Sequence, residues 1–161
     1  METAYIETTV PSYYVARTSD SLLQAAKQAM TRRWWDSGWS GFQLFTSLET
    51  LDEAGKGDPR MAADRLDLIR GLPLLPLPDE GLQLASRLVE SGIVPAKAAS
   101  DAIHIAVASV HRMDYLVTWN FKHIANPFIR ERLRRTIAAA GFELPVMCSP
   151  EELLQNNDED N

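Results

Sequence analysis

A carboxylate stands inside one of the most apolar stretches of this 161-residue chain. Asp101 lies in Ala98-Ala99-Ser100-Asp101-Ala102-Ile103-His104-Ile105-Ala106-Val107-Ala108, which reads as a helix apolar on nearly every side. Such a helix is expected to be buried. An ionised carboxylate there is costly unless it is paired, hydrogen-bonded or bound to a cation. Lys97, at i−4, is the sole basic residue within one helical turn of it.

Other oxygen-bearing side chains fall where they can share the site. Glu7 follows Ile6 at the end of an apolar run, and Asn120 stands shortly after Val117-Thr118. Glu49, Asp52 and Glu53 form a further acidic cluster on a helix. Glu49 and Glu53 are i and i+4, where like charges repel by a few tenths of a kcal/mol unless a cation intervenes. Carboxylates gathered at strand ends around one acidic helix position suit a hard cation, Mg²⁺ or Mn²⁺. Such an ion polarises a phosphoryl oxygen and lowers the pKa of a bound water that attacks in line. It also reverses a local field that would otherwise repel phosphate. Taken singly, each residue has a plainer reading. Glu7 can cap a turn, Glu53 can be an exposed helix acid, and Asn120 can serve as a turn or N-cap residue. Asp101 can pair with a distant Arg.

The elements that must position these groups are short apolar strands alternating with helices. Strands are expected over 4–9, 42–46, 115–118 and 145–148, the first broken by Pro11 and Ser12. Helices are expected over 20–37, 47–56, 58–70, 79–91, 95–113 and 127–140, with one more after Ser149-Pro150. Leu23, Ala26, Met30 and Trp34 share one face of the helix expected over 20–37. Pro73 and Pro76 reduce 72–77 to an edge or very short strand. The pattern predicts an α/β fold with a mostly parallel sheet covered on both faces. In such folds sites form at the carboxyl ends of the strands. One domain over 1–155 and a disordered acidic tail over 156–161 are expected.

With 22 acidic against 16 basic residues, the net charge is −6. That argues against broad binding to nucleic acid by counterion release, though not against a local basic groove. Arg130, Arg132, Arg134 and Arg135 cluster in one helix and Arg32 and Arg33 in another; the plainer reading of both is solvated surface. No apolar run reaches the length of a membrane span. The lone Cys148 excludes an internal disulfide and fits a cytoplasmic protein. No phosphate-binding glycine loop or Cys/His zinc pattern is present.

Four segments, in order, resemble the PIN domain, most of all its VapC-like toxin branch. They are Tyr-Ile-Glu-Thr-Thr-Val-Pro-Ser, Asp-Glu-Ala-Gly-Lys-Gly-Asp-Pro, Ser-Asp-Ala-Ile-His-Ile-Ala-Val-Ala and Tyr-Leu-Val-Thr-Trp-Asn-Phe-Lys-His-Ile. The resemblance spans Tyr5 to about Leu153. It implies a three-layer α/β fold and a Mg²⁺- or Mn²⁺-dependent endoribonuclease, the toxin of a type II toxin–antitoxin module. Glu7, Glu53 and Asp101 would take the acidic, metal-binding positions and Asn120 the last polar one, positioning a water. Partners implied are an RNA substrate, a cognate antitoxin protein and a second copy in a homodimer, with no membrane. Two departures stand out: Glu7 and Asn120 occupy positions where the family usually has Asp. They favour a single metal. They also motivate the alternative of a catalytically weakened PIN fold that binds RNA or protein. Thr8 and Ser12 would add hydroxyl contacts.

Among the remaining residues, His104 is expected to be a hydrogen-bonded structural histidine and His123 a surface turn residue. Trp34 is expected in the core, while Trp35 and Trp39 are candidates for a partner groove.

Overall fold

The computed structural model describes residues 1–37 and 41–158, with side chains to Leu154. Four strands form one sheet: β1 (Glu2–Ile6), β2 (Phe42–Phe45), β3 (Tyr115–Val117) and β4 (Val146–Cys148). Their order is β2-β1-β3-β4, and every pairing is parallel. Between them run α1 (Thr9–Val15), α2 (Leu22–Asp36), α3 (Leu48–Ala54), α4 (Pro59–Ile69), α5 (Asp79–Glu90) and α6 (Ala99–Val110). After β3 come α7 (Pro127–Ala139) and, beyond β4, α8 (Pro150–Asp158).

Strand alternation sorts the core into two layers. Tyr5, Leu116 and Met147 face a cluster built with α5, α6 and α7. Ala4, Ile6, Leu44, Val117 and Cys148 face the other, with Trp34, Trp35 and Ile69. The sheet is therefore apolar on both faces, which makes it an all-parallel α/β core. β1 connects onward to β2 on one side while β3 lies on its other side, so the chain diverges between the carboxyl ends of β1 and β3. That divergence is where parallel sheets open a crevice.

Local chemistry sets most boundaries. Asp58 caps α4 by accepting from the amides of Arg60 and Met61, with Pro59 at the first helical position. Asn126 does the same for α7 through Phe128, ahead of Pro127. Gly92 ends α5 with φ of 78°, a conformation L side chains avoid.

The first strand stops at Ile6, earlier than the sequence pattern suggested. Pro11 lies inside α1 instead of breaking the chain. It sits in the first turn, where its missing N–H has no helical partner to lose. The buried face of α2 also differs from the apolar spacing: Leu23 is 64% exposed, whereas Gln28, Thr31, Trp34 and Trp35 are buried. Gln28 tolerates this because it bonds Arg17 and Ser19, and Thr31 because it bonds Lys27 and Trp119. Trp34 is in the core as expected, and Trp35 joins it; Trp39 is outside the described residues. The proline-limited segment adds a single bridge, Thr46 to Leu74, beside β2. Helix α8 continues to Asp158, past the expected start of the acidic tail at Asn156, whose end lies outside the described residues.

Candidate metal centre

Among the described residues, Glu7 is the deeply buried carboxylate, at 2% exposure, while Asp101 is only partly buried. The expectation of a buried Asp101 is thereby corrected. It sits in the first turn of α6, where the helix surface reaches the edge of the crevice. The apolar surroundings that suggested full burial belong to later turns, from Ala102 to Ser109.

Glu7 extends the sheet by one residue, its amide donating to Val117 at 3.2 Å. Its side chain turns back into the β1–β3 crevice. There Oε2 accepts from the Thr9 amide at 3.0 Å, the Thr9 hydroxyl, and the Thr118 hydroxyl at 2.8 Å. Oε1 receives no hydrogen bond from the described residues. Burial pushes the Glu7 carboxyl above its ordinary value, against the opposing charge of His104 and the threonine hydrogen bonds.

Glu53 comes from α3 and meets α6 in register. Ser100 donates to Glu49 and His104 to Glu53, so an i, i+4 pair on one helix grips an i, i+4 pair on the other. These contacts, with the Thr8 hydroxyl at 2.7 Å from Glu53 Oε1, relieve the Glu49–Glu53 repulsion without a cation. Thr8 thus makes its expected hydroxyl contact; Ser12 bonds only the Thr8 carbonyl. Burial alone would raise Glu53. The His104 hydrogen bond and charge, then Thr8 and Ser100, bring it below the ordinary carboxylate value.

His104 is wholly buried and structural in the expected sense, with both ring nitrogens engaged. Nε2 donates to Glu53, and Nδ1 lies 2.6 Å from the Tyr5 hydroxyl, itself 2.6 Å from Ser47 Oγ. Burial opposes its protonation, but Tyr5, Glu53 and Glu7 together raise it well above the ordinary histidine value. With Nε2 donating to Glu53, the Tyr5 hydroxyl and Nδ1 complete the hydrogen bonding of the ring. Its membership of the acidic cluster is the feature that sequence reasoning missed. The signal available was its spacing: i+3 from Asp101 and i+4 from Ser100 put it on their helix face.

One ligand atom from each of Glu7, Glu53 and His104 lies within 4.8 Å of the other two. Asp101 is not among the side chains that meet within that distance, though it feels the charges of His104 and Glu53. Burial raises its carboxyl, a hydrogen bond from Asn120 and the His104 charge lower it, and the Glu53 charge raises it again. Asn120 also fills its plainer role, with Oδ1 accepting from the His123 amide at 2.9 Å in an Asx turn. So all four expected residues stand at one end of the sheet, Glu7 deep, Glu53 against His104, and Asp101 with Asn120 at the outer edge.

The α7 arginines Arg130, Arg132, Arg134 and Arg135 are exposed, as the plainer reading of solvated surface expected, whereas Arg32 is partly buried. Arg32 donates to the carbonyls of Tyr14 and Ala16 at 2.9 and 2.6 Å, satisfying the end of α1. Arg134 and Arg135 both pair with Glu131 on the exposed face of α7.

This architecture has a known counterpart. The chain shares its fold with a chain of VapBC2. The match is to the crystal structure of VapBC2 from Rickettsia felis bound to a DNA fragment from their promoter. Identity is 13%, the alignment covers 91% of this chain and 98% of that chain, and the TM-score is 0.57. No protein-family model and no curated protein sequence matches the chain. The all-parallel, helix-flanked sheet is consistent with the PIN-like α/β fold expected from the sequence. Among the described residues, no helix is long and apolar enough to cross a membrane.

Proposed function

We propose that this chain is a Mg²⁺- or Mn²⁺-dependent endoribonuclease, the VapC-like toxin of a type II toxin–antitoxin module. The observation that carries the reading is Glu7 Oε1: a buried carboxylate oxygen with no hydrogen-bond donor among the described residues, beside Glu53 at the carboxyl end of a parallel sheet. A buried anionic oxygen without a donor is expensive, and a divalent cation is the partner that carboxylate-rich surroundings select. The residues present fit such an ion, and Glu7, Glu53 and Asp101 would hold it. When bound, it supplies Lewis acidity toward a phosphoryl oxygen and makes water a nucleophile near neutral pH.

The chain's own groups do the remaining work. The threonine pair Thr9 and Thr118 fixes Glu7 Oε2 and leaves Oε1 available to a cation. Thr8 and His104 fix Glu53. Asn120 orients Asp101 and adds no charge, so the edge nearest solvent carries one carboxylate where two would stand with Asp in its place. RNA as substrate, an antitoxin as partner, a homodimer and a cytoplasmic setting belong to this same proposal, supported by the fold shared with VapBC2.

A second reading has its own observation. Glu53 already accepts hydrogen bonds from His104 and Thr8, so part of the cluster is satisfied without metal. That favours a weakened PIN fold that binds RNA or protein. Calorimetric titration with Mn²⁺ separates the two: uptake that Glu7→Gln abolishes supports the nuclease, and no uptake supports the binding module.

A further inference from the structure

Phe121 follows Asn120 directly and is 43% exposed. Single exposed apolar residues are ordinary. This one is held in an aromatic series that begins inside the protein. Tyr13 and Trp119 have ring centroids 5.7 Å apart, and Trp119 and Phe121 5.9 Å apart at 63°. The Lys27 ammonium lies 5.5 Å from the Trp119 centroid and 5.4 Å from that of Phe121. Lys27 has no carboxylate partner among the described residues, in a chain of net charge −6.

The series is tied to the acidic centre. Trp119 Nε1 donates to Thr31 at 2.8 Å, and its amide donates to Thr9 Oγ1 at 2.8 Å. Thr9 in turn donates to Glu7. Two hydrogen bonds therefore separate the ring platform from the deepest carboxylate. Rigid aromatic surface beside a free ammonium is the combination that receives a nucleotide, base on ring and phosphate on cation. Leu23, one turn before Lys27 on α2, is exposed as well, so a protein contact at this surface is the competing outcome that the experiment below reads.

We propose that Phe121 is the stacking surface for one base of single-stranded RNA, with Lys27 receiving an adjacent phosphate. This deepens the nuclease reading and rests on it, since it sets the strand beside Asp101 and Asn120. It would also give the site a preference for unpaired RNA, because a base in a duplex has no free face.

The test measures binding by the full chain, in Ca²⁺, of a short single-stranded RNA carrying 2-aminopurine, against a matched oligomer with abasic sites. Wild type should quench the 2-aminopurine fluorescence and bind the base-bearing oligomer more tightly. Phe121→Ala should weaken that binding about tenfold, the scale of one lost base stack, and leave the abasic oligomer unaffected. Phe121→Trp should restore it. Equal binding of both oligomers by wild type, or an equal loss on both in Phe121→Ala, overturns the proposal and leaves the ring to a protein contact. Base-dependent binding without cleavage in Mn²⁺ upholds the stacking surface and removes the nuclease reading; cleavage without base dependence does the reverse.

Discussion

His104 donates a hydrogen bond to Glu53 across the contact of α6 with α3, with the imidazole wholly buried and the carboxylate partly open to the crevice. The pair is one link of a longer series, Glu53–His104–Tyr5–Ser47, which crosses from the site into the layer beneath α6. Replacing the ring leaves a tyrosine hydroxyl and a carboxylate short of partners and opens a cavity. His104→Ala should lower stability by about 2–4 kcal/mol in urea unfolding, with an unchanged m-value. A loss below about 0.5 kcal/mol would show that the series is replaceable by water.

The same pair sets a pH dependence. His104 binds its proton more tightly folded than unfolded, so between the ordinary histidine value of about 6.5 and its raised folded value the native state holds more protons. Its contribution is complete below about pH 6.5 and declines as pH rises through the folded value. Glu53, held low, acts in the opposite sense, and its contribution is lost as pH falls below its ordinary value of 4.5. Glu7 and Asp101, both raised, cost stability once ionised. Urea midpoints of wild type and His104→Gln should therefore converge as pH increases from 6 to 9.

Glu7→Gln separates folding from metal binding. The threonine donors to Oε2 can serve an amide oxygen equally well, and the buried charge disappears. Stability should stay within about 1 kcal/mol of wild type or improve, since an uncharged group costs less to bury. Mn²⁺ affinity in calorimetry should fall at least about tenfold with one ligand charge removed.

Asn120→Asp runs the other way. It removes the hydrogen bond to Asp101 and sets a second negative charge beside it. The metal-free protein should lose about 1 kcal/mol of stability from repulsion and the lost bond. Mn²⁺ affinity should rise, and the two changes are read from thermal unfolding with and without Mn²⁺.

Much of this was legible in the chain because parallel sheets leave strong marks. The apolar strands before Glu7 and Thr118 and the Asp58-Pro59 helix start placed the elements and the end at which the site lies. The weaker expectations failed for physical reasons. Apolar content cannot tell that the first turn of α6 reaches the crevice edge, so Asp101 was expected at a depth that belongs to Glu7. The buried face of α2 carries Gln28 and Thr31, whose burial depends on partners distant in sequence such as Trp119. The role of His104 depends on the register between α3 and α6, which exists only in the folded protein.

The central claim is that the carboxylates gathered at the β1–β3 crevice cleave RNA with a divalent ion. The most direct measurement is cleavage of RNA in Mn²⁺ by wild type and by Asp101→Asn, a change at a partly exposed position that keeps side-chain shape. Wild type should cleave, and Asp101→Asn should be slower by at least about a hundredfold, the scale of several kcal/mol of lost transition-state stabilisation. Cleavage undiminished by the substitution would contradict the account.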